Sequence, residues 1–231
     1  MDARYSTDFL LFASLGIAGN HAKDAIVGNA IDRAFRDASS HVLSVGGGND
    51  NLKEAGKKDI CAALCNLRPE TDFDEWHGSL CETLYDRDYS SAESDYPLKA
   101  VTYGIAQKWV NMTIKYLSIA YYALEERDNS REYCEFYDRA VKPHEANLHV
   151  PVDRFIIESA WKEDEAIKLP LKEKADRKKK YKHPADYCKP WSRWGLEDYR
   201  SFQESLHTYL ASQRPTPLDW ENNAWISAAG N

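Results

Sequence analysis

Apolar residues recur every three or four positions through much of the chain, and this spacing is the feature that most constrains the fold. The clearest example lies between Tyr103 and Leu124. Its apolar stripe consists of Ala106, Trp109, Val110, Thr113, Leu117, Ala120, Tyr121 and Leu124. No stretch of the sequence shows the period-two alternation that is typical of a half-buried β-strand. The pattern therefore predicts a nearly all-α protein.

The same spacing, together with residues that favour helix ends, predicts further helices on both sides of this one. The first has a cap among residues 6–8 and ends near Gly16 or Gly19. The others cover residues 22–38, 58–67, 73–84, 153–160 and 196–210. The glycine-rich run 46–50 predicts a loop, and the Asp- and Ser-rich stretch 86–97 predicts a solvated connection. We therefore expect an N-terminal helical region, residues 1–95, and a second helical region, residues 96–231.

The charge of the chain is unevenly distributed. Of the fifteen residues 168–182, eight are Lys or Arg and only Glu173 and Asp176 are acidic, which gives this basic segment a charge of +6. Because the net charge of the 231 residues is −7, the rest of the chain carries −13. The sequence therefore excludes a uniformly basic coat but predicts an acidic body with one basic arm.

The cysteines and the N-terminus indicate a cytoplasmic protein. The chain has five cysteines at irregular spacing and lacks the basic flank and apolar run of a secretory signal. The apolar run Phe9–Ile17 is too short to span a bilayer, so we expect a buried helix there. A metal site is not predicted, because the candidate ligands have loose spacing and are better interpreted as buried residues; they are Cys61, Cys65, His77 and Cys81.

Two phrases of the sequence carry a resemblance. Gly104-Ile105-Ala106-Gln107-Lys108 begins the strong helix, and His149-Val150-Pro151-Val152-Asp153 precedes a later one. Together they resemble the helix-hairpin-helix DNA glycosylases, whose hairpin ends in Gly-(Val/Ile)-Gly-x-Lys and whose catalytic aspartate lies in a Val-Asp phrase that opens a helix. The resemblance covers residues 96–162 and implies a two-lobed helical architecture. Ala106 replaces the second glycine of the family, and residues 127–147 form an insertion.

The resemblance implies an enzyme that flips a damaged or chemically modified base out of DNA and excises it. Asp153 would be the catalytic carboxylate, which stabilises positive charge on the sugar. Lys108 would be the nucleophile that attacks C1′ and forms a Schiff base, with strand cleavage as a later step. No cofactor is expected, because only Cys188 follows Cys134 and the family's iron–sulfur cluster lacks its ligands. The departures from the repair consensus favour a specialised substrate, such as modified phage DNA.

DNA is the partner that this resemblance implies, and it suggests two sets of contacts. The residues expected to hold phosphates are Gly104, Ala106, Lys115, Lys178, Lys179 and Lys180. The residues expected to form a base pocket or a wedge are Tyr103, Trp109, Phe155, Trp191 and Trp194. The oligomeric state stays open.

Other interpretations of the same residues remain. Lys108 fits a solvated helix face, and Asp153 fits a plain helix cap. The string from Arg139 to His144 resembles the Arg-x4-His motif of the HEPN ribonucleases, although Pro143 interrupts the continuous helix that those enzymes use. A third alternative is a non-enzymatic α-helical interaction protein with an acidic body and a basic arm.

Overall fold

The structure, a computed structural model, describes residues 3–17, 19, 21–39, 49–87, 101–179, 181–213 and 215–229. These residues form nine α-helices: α1 (Ala3–Leu15), α2 (Lys23–Ser39), α3 (Asn49–Asn66), α4 (Phe73–Asp86), α5 (Tyr103–Leu124), α6 (Arg131–Ala140), α7 (Arg154–Glu163), α8 (Leu196–Leu210) and α9 (Pro217–Ala229). Four short 3₁₀ helices lie at Asp128–Ser130, Lys142–Asn147, Pro184–Tyr187 and Trp191–Arg193. A single β-bridge, between Leu171 and Cys188, is the only β-pairing in the part described. The predicted all-α class is confirmed.

Helix α5 is the central element of the fold. It begins and ends at the residues that its apolar stripe predicts, and Thr102 caps its N-terminus by accepting a hydrogen bond from the Ile105 amide. Helices α2 and α4 pack along its sides. The indole of Trp109 is fully buried and contacts the Phe35 ring of α2 at a centroid distance of 4.8 Å. One buried core thus draws on helices from both sides of residue 95.

Helix α1 is only partly buried, so the prediction of a buried helix there is partly wrong. Leu11 and Leu15 point into the core, whereas the side chains of Phe9, Leu10 and Phe12 are more than half exposed. The helix ends at the first of the two predicted glycines, because Gly16 adopts a φ of 71° that favours glycine and its amide bonds to the Phe12 carbonyl at 2.8 Å. It begins at Ala3, so the predicted start near residues 6–8 is wrong.

The outcome of the loop predictions is mixed. Gly46 to Gly48 and most of the predicted connection 86–97 lie outside the described residues, while Asn49 and Asp50 already belong to α3. Helices α6 and α9 were not predicted. None of the helices within the described ranges has the length and apolar character needed to cross a membrane.

Candidate active site

The fold brings Lys108 and Asp153 together, although they lie 45 positions apart in the sequence. Lys108 projects from α5, Asp153 immediately precedes α7, and the distance from Lys108 Nζ to Asp153 Oδ2 is 3.6 Å. The two side chains keep 10% and 18% of their surfaces exposed. They therefore form a mostly desolvated ion pair that solvent still reaches.

Asp153 acts as a helix cap and as an ion-pair partner at the same time. Its backbone is extended, and its Oδ1 accepts a hydrogen bond from the Ile156 amide at 3.0 Å. The amide dipoles at the start of α7 also favour a negative charge at this position. Because the cap uses Oδ1, the other carboxylate oxygen faces Lys108. The helix-cap interpretation is confirmed, and it is compatible with a second role.

The 3₁₀ helix Trp191–Arg193 lies against the start of α5 and places the Trp191 ring next to Lys108. The Lys108 Nζ lies 4.5 Å from the centroid of the Trp191 ring, a cation–π distance. This approach depends on Gly104, because a Cβ there would lie 2.2 Å from the Trp191 carbonyl oxygen. Thr102 strengthens the junction by donating its hydroxyl to the Ser192 carbonyl at 2.6 Å.

The predicted phosphate contacts at Gly104 and Ala106 are corrected by this packing. Both residues are buried within α5, and the backbone of Trp191 and Ser192 occupies the space that a phosphate would need at Gly104. Gly104 therefore allows a close backbone approach, but its partner is the protein's own chain and not a phosphate.

Lys115 is likewise engaged inside the protein. Its Nζ lies 2.5 Å from Oε2 of Glu221, a carboxylate of α9 that is only 1% exposed. Burial raises the pKa of Glu221, Lys115 lowers it, and the nearby Asp153 raises it further. The prediction that Lys115 holds a phosphate does not fit this geometry, because the Lys115 ammonium already forms an ion pair with the buried carboxylate of Glu221. We call Lys108, Asp153, Lys115 and Glu221 the charged cluster.

The sequence interpretation missed Glu221, although a signal exists. Leu218, Glu221 and Ala224 follow a three-residue spacing along α9, and all three are buried or half-buried. An acidic residue on the apolar face of a helix requires a buried partner of opposite charge.

Three of the five predicted base-pocket aromatics belong to the core: Tyr103, Trp109 and Trp194. Trp109 donates its Nε1 hydrogen to the Ile31 carbonyl at 3.1 Å, and a Cβ at Gly56 would collide with its ring. Trp194 is 1% exposed and donates to the Lys189 carbonyl at 2.9 Å. Both indoles are enclosed and hydrogen-bonded, so neither is available to stack on a flipped base.

The two remaining aromatics, Trp191 and Phe155, are partly exposed to solvent. Trp191 is half-buried beside Lys108, and Phe155 is half-buried with its ring 5.4 Å from that of Trp225. Tyr103 is buried, but it borders a recess of about 550 Å³ together with part of Trp194. Of these aromatics, Trp191 contacts the charged cluster through Lys108, whereas the Phe155 ring packs against Trp225.

The basic segment divides into an internal arginine and exposed lysines. Arg177 donates to the carbonyls of Ala160, Asp164 and Ile167, and its guanidinium lies 5.9 Å from the centroid of the Trp161 ring. The side chains that project into solvent are those of Lys168, Lys172, Lys174, Lys178, Lys179 and Lys182. Lys180 lies outside the described residues. Arg177 thus holds the arm against α7, and the lysines remain on its surface.

A second buried polar cluster was not predicted at all. The His149 ring nitrogens contact Asp74 Oδ1 at 2.7 Å and the Tyr199 hydroxyl at 2.8 Å. His77 Nε2 lies 2.8 Å from Asn111 Oδ1, and the Asn111 amide donates to the Tyr199 hydroxyl at 2.8 Å. These residues come from α4, α5, α8 and the segment before α7, and we call them the histidine cluster.

The hydrogen bonds of the histidine cluster fit neutral imidazoles. His149 donates from Nε2 to the carboxylate of Asp74, so its Nδ1 accepts the proton of the Tyr199 hydroxyl. Burial lowers the pKa of His149 and lowers that of His77 well below 6.5. Burial also raises the pKa of Tyr199, which keeps its phenol protonated.

The remaining predictions concern the cysteines and the alternative motif. Cys81 is buried as predicted, but Cys61 is only half-buried and Cys65 is exposed, so the prediction of a buried thiol is wrong for Cys65. No group of three or more His, Cys, Asp or Glu side chains with metal-binding geometry occurs among the residues that the structure describes. His144 is buried and its Nε2 contacts the Arg68 carbonyl at 2.9 Å, whereas Arg139 is exposed at the end of α6. As Pro143 indicates, α6 stops at Ala140 and a 3₁₀ helix follows. The His144 ring is therefore engaged by the backbone of Arg68, whereas Arg139 faces solvent.

No protein-family model, curated protein or solved structure matches the chain. The geometry of its own residues therefore has to carry any functional inference.

Proposed function

We propose that this protein is a DNA glycosylase that excises a damaged or modified base, with Lys108 as nucleophile and Asp153 as catalytic carboxylate. The observation that supports the proposal is the meeting of the two residues at 3.6 Å in a mostly desolvated but still accessible position. The resemblance names the same two residues. Trp191, beside Lys108, supplies an aromatic face for a nucleotide.

In the proposed reaction, the solvent water that reaches the pair accepts the two protons that Lys108 loses and supplies the protons that the base and O4′ take up. The reaction begins when the Lys108 ammonium loses the first proton and its amine donates an electron pair to the sugar C1′. The bond between C1′ and the base nitrogen breaks, its electrons leave with the base, and the base takes up a proton. Positive charge builds on the sugar in the transition state, and the Asp153 carboxylate stabilises it. After the amine loses a second proton, its remaining electron pair opens the C1′–O4′ bond, and O4′ takes up a proton. The product is a Schiff base on Lys108.

Two variants test the assignment of these roles. Asp153→Asn keeps a side-chain oxygen for the helix cap but removes the negative charge, and Lys108→Gln removes the amine. We expect each variant to release free base at least about 100-fold more slowly than the parent, because each group acts on the transition state. The measurement is base release from a panel of natural, damaged and hypermodified DNAs.

Lys57 and Asp32 provide a matched control. They form another partly buried lysine–aspartate pair, with 2.7 Å between Lys57 Nζ and Asp32 Oδ2. Lys57→Gln and Asp32→Asn should leave base release unchanged. Borohydride should trap the parent on DNA but not Lys108→Gln. The proposal is wrong if no DNA of the panel loses a base. It is also wrong if the Lys108 and Asp153 variants release base at the same rate as the Lys57 and Asp32 variants, which is the result expected of a non-enzymatic interaction protein.

A further inference from the structure

The segment before Asp153 is held by one buried amide side chain. Gln203 of α8 is 1% exposed, and its side chain bonds to both backbone groups of Val150. The Gln203 Nε2 donates to the Val150 carbonyl at 2.8 Å, and the Gln203 Oε1 accepts from the Val150 amide at 3.2 Å. The backbone amide and carbonyl of Val150 are therefore satisfied by a side chain, as they would otherwise be by a neighbouring β-strand.

The same carbonyl is also tied to the helix that carries Lys108. Asn111 lies three positions after Lys108 on α5, and its Nδ2 donates to the Val150 carbonyl at 3.2 Å. Asn111 is fixed in turn by His77 and Tyr199 of the histidine cluster. Through Val150, the elements that carry Lys108 and Asp153 thus share one attachment point.

The backbone between Val150 and Asp153 has little conformational freedom. Pro151 has a φ restricted by its ring, and Val152 is completely buried. A shift of the Val150 backbone would therefore be passed on to Asp153 rather than absorbed between them.

We infer that Gln203 is a positioning residue, which sets the geometry of the Lys108–Asp153 pair through the backbone of Val150. This inference rests on the proposed function for its catalytic consequence. It predicts a chemical step that depends on the hydrogen bonds of Gln203, although these bonds go to the backbone of Val150 and not to Lys108 or Asp153.

Gln203→Met removes both hydrogen bonds with little change in side-chain volume. We expect the single-turnover rate of base release at saturating DNA to fall about 10- to 100-fold, because small misplacements of catalytic groups are costly. The Kd for DNA should stay within about twofold of the parent value. Thermal unfolding would identify a temperature at which each variant is fully folded, and the rates are compared there.

Ser205→Ala is the matched control on the same helix. Ser205 is also buried, but its hydroxyl bonds to the Phe202 carbonyl and to the Lys168 amide rather than to residues 148–152. It should lower stability without slowing the single-turnover rate. The inference is overturned if Gln203→Met keeps the parent rate, if it changes only the Kd, or if Ser205→Ala slows the rate equally.

A second measurement does not need activity. Urea midpoints of Lys108→Met, Asp153→Asn and the double variant report the coupling of the pair as a departure from additivity. The same measurements are then repeated with Gln203→Met added to the parent and to each of the three variants. We expect the departure from additivity to fall by at least half. An undiminished departure overturns the positioning role, whereas an absence of base release from the parent overturns only the proposed function.

Discussion

At the scale of single residues, charge compensation explains which ionised groups the interior contains. Removing a charge from water costs several kcal/mol unless an opposite charge lies close by. The charged cluster meets this condition with two lysines and two carboxylates, so its formal charge is zero. The resemblance predicted Lys108 and Asp153 as a pair. The partnership of Lys115 with Glu221 could not be derived from sequence, because 106 positions separate them and only tertiary packing of α9 joins them.

The buried imidazoles lead to a prediction about pH. Burial lowers the pKa of His77 and His149, so the unfolded chain binds protons at these rings at a higher pH than the folded protein does. Their contribution to stability is therefore fully present above the ordinary value of 6.5 and is lost as the pH falls toward the lowered folded-state values. Urea unfolding should give a lower midpoint at about pH 5.5 than at about pH 7.5.

The contribution of the buried rings can be separated from that of other groups. In His77→Gln the difference between the two midpoints should be smaller, because one buried titrating ring is gone. In His183→Gln, which changes an exposed histidine, the difference should match that of the parent. An equal difference in all three proteins would contradict the prediction.

At the scale of elements, the helices with clear end signals were predicted most accurately. Helices α5 and α8 have the predicted bounds, since each combines an apolar stripe with a capping or breaking residue at its N-terminus. Helix α6 was missed because Pro143 and the polar composition concealed its apolar face, which consists of Tyr133, Phe136, Tyr137 and Ala140. The path of the basic segment could not be predicted from apolar periodicity, because contacts to α7, rather than local helix propensity, determine it.

Arg177 provides a test of that element. It bonds to several carbonyls at the end of α7, and hydrogen bonds from a charged donor contribute more than neutral ones. Arg177→Met should lower the free energy of unfolding by about 2–3 kcal/mol, measured by urea titration. The neighbouring exposed residue is the control, and Lys178→Met should change stability by less than about 0.5 kcal/mol. Equal effects would show that Arg177 does not hold the arm.

At the scale of the whole molecule, the charge is separated into an acidic body of −13 and a basic segment of +6. The exposed lysines of that segment face solvent, whereas its arginine is used internally. Under the proposed function, these lysines contact phosphates and the acidic surfaces face away from DNA. Composition alone gives the two totals, but only the fold shows which of the basic side chains remain available.

A salt titration tests this arrangement. Each phosphate contact contributes about 0.9 to the slope of log affinity against log salt concentration for duplex DNA. The double variant Lys178→Gln/Lys179→Gln should therefore reduce the magnitude of the slope by about 1.8 and weaken binding to different sequences alike. Lys57→Gln, which removes a lysine from an internal pair, is the control and should leave the slope unchanged. The expectation is wrong if both variants give the parent slope.

The position of Glu221 on α9 affects when the charged cluster can assemble during synthesis of the protein. Helix α9 follows the other eight helices of the described ranges, so a ribosome synthesises Lys108, Asp153 and Lys115 before their fourth partner. Until α9 docks, closure of the fold around Lys115 would leave its ammonium without a carboxylate. The charge of Lys115 is therefore compensated only after residue 221 has been synthesised and α9 has docked, so the site cannot assemble before α9 exists.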